Sequence, residues 1–398
     1  MPDATSPAPA AGPLAPLLER AEALAYDLEL RAVAAWKAGD PARRAVGYLP
    51  TFVPREVLWA AGVLPVAIYG GGDRVETIRG DAFYQSYICH FPRSVLELAI
   101  SGRLDALDGM LFPSTCDVIR NLSGIWQLQF PTRYVRYFDY PQVDDPAIRR
   151  DAYRAECAHL QADMERLTGR HVTDGDLRAA IADYDANRAA VAALFAARRI
   201  DPARHPASEA YVLLRAGAVL PPPAHTAMLR EYLALAAGVE RPALDNSRVV
   251  VRGGFCEQPP LGLIRTLERA GCDLVEDDFL LGARWLEANI GDATDPLDAL
   301  AAAYATHGAA TASHYTPERA KGAALVAAAR EARAEGVVFC APSFCDPALL
   351  DQPMLAAACD AAGLPHTQFK YSEDGGQFQV IREQAGTFAD SIRLWGSA

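Results

Sequence analysis

The chain has 398 residues, 51% of them apolar, and its 38 basic and 50 acidic residues give a net charge of −12. This composition is ample for buried cores and excludes a wholly disordered chain. The acidic balance disfavours nucleic acid or an anionic membrane as a partner. The three lysines, Lys37, Lys321 and Lys370, do not follow the glycine spacing of a P-loop, which excludes a P-loop NTPase.

The first residues are rich in Pro, Ala and Ser and lack the basic and apolar regions of a signal peptide. We expect a disordered arm of about a dozen residues and then a helix over 14–37, within an N-terminal segment 1–45. No stretch approaches the ~18 apolar residues of a membrane span. The sequence therefore predicts a cytoplasmic protein whose eight cysteines are reduced thiols or metal ligands.

Residues 46–145 alternate short apolar runs with helical spacing. The runs predict strands at 46–49, 65–69, 109–112 and 134–138. Helices are predicted between them, near 54–61, 92–101 and 117–127. This β-α-β alternation is typical of a parallel, doubly wound sheet, so we predict a first α/β lobe here.

Residues 146–245 are rich in Ala, Arg, Glu and Leu at helical spacing and predict a helical insert. The α/β alternation then resumes, and residues 246–398 predict a second lobe. Its strands are expected at 248–252, 273–276, 337–340 and 367–371, with helices at 261–270, 317–335, 352–362 and 378–394. An Ala-Gly pair precedes a predicted strand three times, which is compatible with two related lobes.

Five of the eight cysteines lie near the carboxyl ends of predicted strands: Cys89, Cys116, Cys256, Cys340 and Cys345. Ligands bind at this edge of open α/β sheets, so these sulfurs can converge on one cleft, although Cys256 could equally be a packing residue. No CxxC pair exists, which disfavours a zinc ribbon or a ferredoxin-type centre. Ligands spread over two lobes would suit a metal or iron–sulfur centre between them. The remaining cysteines are predicted to be buried packing residues: Cys157, Cys272 and Cys359.

Several loops carry motifs. Thr115–Asp117 reads TCD, Phe344–Pro347 reads FCDP, and GQFQVIREQAGTFADSI begins at Gly376. Together with GYLPTFVPREVLWAAGVLPV from Gly47, they resemble the 2-hydroxyacyl-CoA dehydratase and benzoyl-CoA reductase superfamily over nearly the whole chain. The stretches FCEQPPLGLIRTLERAG, from Phe255, and VVFCAPSFCDP are most similar to the C-subunit family of ATP-dependent benzoyl-CoA reductases.

The resemblance implies two Rossmann-like (flavodoxin-like) lobes with a [4Fe–4S] cluster in the cleft between them. Carried onto this sequence, the cluster ligands would be Cys89, Cys116 and Cys345, with Cys340 as a candidate fourth. The resemblance also implies a homologous partner of similar fold, the B-subunit, and separate ATPase subunits that pass on electrons from ferredoxin. The substrate would be an aromatic acyl-CoA that is reduced to a cyclic dienoyl-CoA.

Ring reduction also needs a proton donor. The candidate catalytic residues are His90, beside Cys89, and Glu257; a histidine that only orients a ligand and a solvated loop carboxylate are the alternatives. Asp117 and Asp346 are predicted to be helix N-caps, and the acidic run 276–278 a solvated loop.

Two other functions fit the same sequence. One is a subunit of a 2-hydroxyacyl-CoA dehydratase, which recycles its electron in each turnover. The other is a cluster-free scaffold subunit whose cysteines are structural. Iron content separates the scaffold from both enzymes, and stoichiometric consumption of reductant separates the reductase from the dehydratase.

Overall fold

The computed structural model describes residues 12–254, 258–313, 318–372 and 378–395. In these ranges the strands are β1 Arg44–Tyr48, β2 Val63–Ala67, β3 Gly109–Pro113, β4 Tyr134–Phe138, β5 Ser247–Arg252, β6 Cys272–Asp277, β7 Gly336–Pro342 and β8 His366–Tyr371. The helices are α1 Ala15–Ala25, α2 Arg31–Ala38, α3 Arg55–Ala60, α4 His90–Ile100, α5 Asp117–Gln129, α6 Pro146–Thr168, α7 Asp174–Ile200, α8 Ala207–Ala216, α9 Pro222–Ala236, α10 Leu261–Arg269, α11 Leu281–Arg284, α12 Pro296–His307, α13 Glu318–Glu331, α14 Asp346–Ala361 and α15 Gln379–Trp395. None of these helices combines the length and the apolar character that a membrane span requires.

The strands form two parallel four-stranded sheets with the same strand order. The first sheet is ordered β2-β1-β3-β4 and the second β6-β5-β7-β8. The order reverses between β1 and β3 and again between β5 and β7. These points are the switch points at which ligands bind in such sheets. The prediction of an α/β protein with two parallel, Rossmann-like sheets and helices between them is confirmed, while the lobe boundaries stay predictions.

The central strands are apolar because helices cover both faces of each sheet. Every residue of β3 and every residue of β7 is buried. The backbone conformation explains why glycine recurs in the Ala-Gly pairs. Gly62, Gly271 and Gly363 have φ values of 75°, 88° and 66°, the left-handed geometry that ends a helix before the next strand begins.

The structure departs from the predicted elements at several places. Helices α11 and α12 were not predicted, and α14 begins at Asp346 and not at 352. The helix predicted over 14–37 is two helices, because Leu30 adopts a left-handed φ of 53° and the Asp27 carboxylate accepts the N–H of Ala32 at 2.8 Å. Strand β7 runs on to Pro342, so Cys340 lies inside the strand and not at its end.

An aromatic cluster joins the helical insert to the loops of both sheets. Tyr153 on α6 stacks on Tyr304 of α12 with ring centroids 4.0 Å apart. Phe52, after β1, meets Tyr304 edge-on at 5.7 Å, and its carbonyl oxygen accepts a hydrogen bond from the Tyr153 hydroxyl at 2.8 Å. Trp285, in the second half of the chain, lies 5.9 Å from Phe52. The cluster therefore fixes the loop after β1 against α6 and α12.

Helix α7 meets the second sheet through buried ion pairs. Arg198 pairs with Asp277 at 2.6 Å, and the two side chains are 2% and 3% exposed. Arg199 and Arg284 both pair with Glu276. Burial alone would raise the pKa of Glu276, but the surrounding arginines, Arg284 first, hold it well below its usual range. The prediction of a solvated acidic loop was therefore wrong, because β6 carries these carboxylates into contact with arginines of α7 and α11.

His225 on α9 is buried as a neutral imidazole. Its Nε2 lies 3.1 Å from the Leu213 carbonyl oxygen and its Nδ1 lies 3.0 Å from the Asn187 side-chain nitrogen. Nε2 therefore donates and Nδ1 accepts, which leaves no acceptor for a second ring N–H. Burial lowers the pKa of His225 to about 4.

We expect His225 to reduce stability as the pH falls from ~6.5, the pKa of an unfolded histidine, towards ~4. In this window the unfolded state binds the proton first, and each pH unit costs about 1.4 kcal/mol. Above pH ~6.5 the histidine is neutral in both the folded and the unfolded state, and it no longer makes stability depend on pH. Thermal unfolding of the wild type and of His225→Gln across this range tests the prediction. The variant should show a shallower acid decline, and an identical decline would contradict it.

Candidate metal centre

Three cysteines occupy the N-cap positions of helices at the carboxyl edges of the sheets. Cys89 precedes α4, Cys116 precedes α5 and Cys345 precedes α14. Asp117 and Asp346 are the first residues of their helices, so the prediction that they are the N-caps was off by one residue. The N-terminus of a helix favours negative charge, which suits a thiolate at this position.

Cys116 and Cys345, which follow strands of different sheets, interact electrostatically. Burial raises the pKa of Cys116 to about 11; the N–H groups at the start of α5 act against this rise, and Cys345 adds to it. Burial likewise raises the pKa of Tyr84, and both Cys89 and Cys116 contribute. Cys116 thus interacts with Cys345, and Tyr84 interacts with Cys89 and Cys116; that the three cysteines hold one metal centre stays a prediction.

The donor set fits an iron–sulfur centre in its chemistry. Burial keeps the Cys116 thiol protonated, and a bound metal supplies the cation that turns such thiols into thiolates. The buried Tyr84 hydroxyl, on which Cys89 and Cys116 act electrostatically, has no hydrogen-bonding partner within the described ranges and is therefore an unused polar donor. Among the residues whose positions are given, no group of three or more His, Cys, Asp or Glu already has metal-binding geometry.

A five-residue repeat explains why Cys116 and Cys345 lie at equivalent places. Pro-Ser-X-Cys-Asp occurs at 113–117 and again at 342–346. In each copy the serine N–H donates to the carbonyl oxygen that ends the next strand, Ser114 to Phe138 at 2.9 Å and Ser343 to Tyr371 at 2.7 Å. Sequence reasoning missed this repeat, although aligning the two halves at these motifs would have found it.

The residue between serine and cysteine differs between the copies. Thr115 is buried, and its hydroxyl oxygen lies 2.6 Å from that of Thr51. Phe344 has a left-handed φ of 65° and is 52% exposed. Such backbone geometry is strained for a bulky residue and recurs at functional sites. The second copy therefore presents an aromatic ring to solvent beside Cys345.

The other predicted site residues are distributed as follows. Cys340 is fully buried inside β7, where burial and the Asp278 carboxylate raise the pKa of its thiol; its candidacy as a fourth ligand stays a prediction. His90 is the half-buried first residue of α4. Glu257 and Cys256 lie outside the described residues. The cysteines predicted to be packing residues are fully buried: Cys157, Cys272 and Cys359.

A cavity of about 770 Å³ opens at the carboxyl edge of the second sheet, between α7, α13 and α14. Its volume is in the range of small-molecule sites. Charges of both signs line it, with Arg252, Arg284 and Lys321 facing Glu276 and Asp278. Among the described residues that line it there is no cysteine.

Comparisons with known proteins agree on one family. The family model for 2-hydroxyglutaryl-CoA dehydratase, D-component, matches residues 50–392. The C-subunit of benzoyl-CoA reductase from Thauera aromatica is 50% identical over 96% of this chain and 99% of its own length. The beta subunit of (R)-phenyllactyl-CoA dehydratase from Clostridium sporogenes is 24% identical over 88% of this chain and 92% of its own. The beta subunit of (R)-2-hydroxyglutaryl-CoA dehydratase from Acidaminococcus fermentans is 27% identical over 88% of this chain and 93% of its own.

Proposed function

Because the chain belongs to the 2-hydroxyglutaryl-CoA dehydratase D-component family, we propose that it is the iron–sulfur subunit of an ATP-dependent aryl-CoA reductase. The observation that supports the redox assignment is the position of Cys89, Cys116 and Cys345 at the N-caps of three helices. Identity favours the reductase branch, since the reductase relative is 50% identical and the dehydratase relatives are 24% and 27% identical.

The three cysteines would hold a [4Fe–4S] cluster, with the fourth iron position open to Cys340 or another ligand. When bound, such a cluster supplies one-electron transfer at low potential, which thiolate ligation favours. The chain itself would bind the cluster and exclude water from it. Three helix N-termini stabilise negative charge at the sulfurs, and Cys345 is only 5% exposed.

In the proposed reaction an aromatic acyl-CoA gains two electrons and two protons and becomes a cyclic dienoyl-CoA. Ferredoxin supplies the electrons through separate subunits that hydrolyse ATP, and the homologous B-subunit completes the catalytic unit. His90 and Glu257 are the proposed proton donors. We place the enzyme in the cytoplasm, where thiols stay reduced and available to iron.

The test is an anaerobic assay of the complex with its co-expressed partners, ATP and a low-potential reductant. We expect an aromatic acyl-CoA to consume two electrons for each dienoyl-CoA formed. A 2-hydroxyacyl-CoA is the matched control and should remain unchanged. Elimination of water from that substrate without net consumption of reductant would instead identify a dehydratase.

The dehydratase is the second candidate because the matching family model and two of the relatives carry that activity in their names. It keeps the same cysteine ligands and changes only the fate of the electron. A cluster-free scaffold is the third candidate, and an iron-free chain after strictly anaerobic purification would establish it.

A further inference from the structure

Tyr84 carries a buried hydroxyl that lacks a hydrogen-bonding partner among the described residues. It lies in the loop between β2 and α4, five residues before Cys89. Its oxygen has no partner in the part of the chain that the structure describes. Burying a hydroxyl without an acceptor lowers the stability of the fold, and almost all buried polar atoms have a hydrogen-bonding partner. An acceptor is therefore expected beside this ring, and Cys89 and Cys116 are the groups that act on it electrostatically.

Helix α4 clamps the loop on both sides of Tyr84. The buried Glu97 carboxylate accepts the N–H of Gly80 at 2.8 Å. Arg93 donates to the Ile88 carbonyl oxygen at 2.8 Å, directly before Cys89. A side chain at Gly80 would collide with the Arg93 carbonyl, so the loop approaches the helix closely. The position of the Tyr84 ring is thus set by the backbone and not by a hydrogen bond of its own hydroxyl.

We propose that the Tyr84 hydroxyl donates a hydrogen bond to a sulfur of the iron–sulfur centre held by Cys89 and Cys116, and that this bond raises the reduction potential of the centre. The inference rests on the proposed function, because it requires the cluster. The reduced centre carries one more negative charge than the oxidised one. A donor at its sulfur therefore stabilises the reduced form more, and hydrogen bonds to sulfur are among the features that set cluster potentials.

The experiment compares Tyr84→Phe with the wild type in the complex purified anaerobically. Tyr87→Phe is the matched control, because Tyr87 lies in the same loop but is 64% exposed. An EPR-monitored redox titration reads the potential without any activity assay. In Tyr84→Phe we expect the reduced-to-oxidised ratio at a fixed potential to fall about tenfold, equivalent to ~59 mV for a one-electron couple. Tyr87→Phe should titrate like the wild type.

A second readout uses the iron-free complex. Without a cluster the Tyr84 hydroxyl has no acceptor among the described residues. Tyr84→Phe should therefore raise the Tm by about 2 °C, and this gain should disappear after iron loading. An iron-loaded Tyr84→Phe variant with the wild-type potential would overturn this inference alone. An iron-free wild type would overturn the proposed function and the inference together, so the two failures are distinguishable.

Discussion

Arg198→Met is expected to lower the free energy of unfolding by about 3–5 kcal/mol, because it leaves a buried carboxylate without its cation. Arg198 and Asp277 are 2.6 Å apart and almost fully enclosed, so water cannot replace the lost partner. Arg198 also helps to hold the neighbouring Glu276 in its ionised form. Calorimetric unfolding of the variant measures the loss as a lower Tm.

Two further variants separate the ion pair from the simple loss of a side chain. Arg198→Met combined with Asp277→Leu should recover most of the loss, since replacing both buried charges by apolar groups is close to neutral. Arg20→Met removes an exposed partner of Glu231, whose side chains are 53% and 47% exposed, and should cost less than about 1 kcal/mol. If Arg198→Met proved as mild as Arg20→Met, the buried pair would not support α7 in the way described.

Cys345→Ser is expected to abolish most of the iron bound by this chain, because it removes one of three proposed ligands. Serine keeps the size of the side chain but is a poor ligand for iron in a cluster. Iron and labile sulfide, measured on the anaerobically purified complex, report the loss. Cys359→Ala is the matched control, since Cys359 lies in the same helix, is fully buried, and should retain iron.

The same iron measurement on Cys340→Ala tests whether Cys340 is the fourth ligand. We expect this variant to keep its iron, because Cys340 lies within the buried strand β7 beside Asp278, whereas the three proposed ligands lie at helix N-caps. Loss of iron in Cys340→Ala would make Cys340 a ligand. Full retention of iron in Cys345→Ser would remove the basis for the proposed centre.

Local patterns in the sequence predicted much of the fold. Strand β4 lies at its predicted bounds, and α5 begins at the predicted residue, because an apolar run and a polar helix start are visible without tertiary context. The positions of Cys116 and Cys345 beyond the carboxyl ends of β3 and β7 also agree with the predicted strands.

What the sequence could not predict depends on distant partners. The acidic residues of β6 resemble a solvated run until α7 supplies Arg198, which is 79 residues away from Asp277 in the chain. Leu30 interrupts the helix by adopting a left-handed conformation, which is unusual for leucine and therefore not predictable from the residue type. The role proposed for Tyr84 could not be predicted either, since only the folded loop shows that its hydroxyl is buried and that two cysteines act on it.

The central claim is that this chain itself holds a low-potential iron–sulfur centre through Cys89, Cys116 and Cys345. Low-temperature EPR of the dithionite-reduced complex, with iron assigned to the separated subunits, tests it most directly. We predict a [4Fe–4S]⁺ signal that is lost in Cys116→Ser and Cys345→Ser and retained in Cys359→Ala. A wild-type chain without iron after strictly anaerobic purification would contradict it.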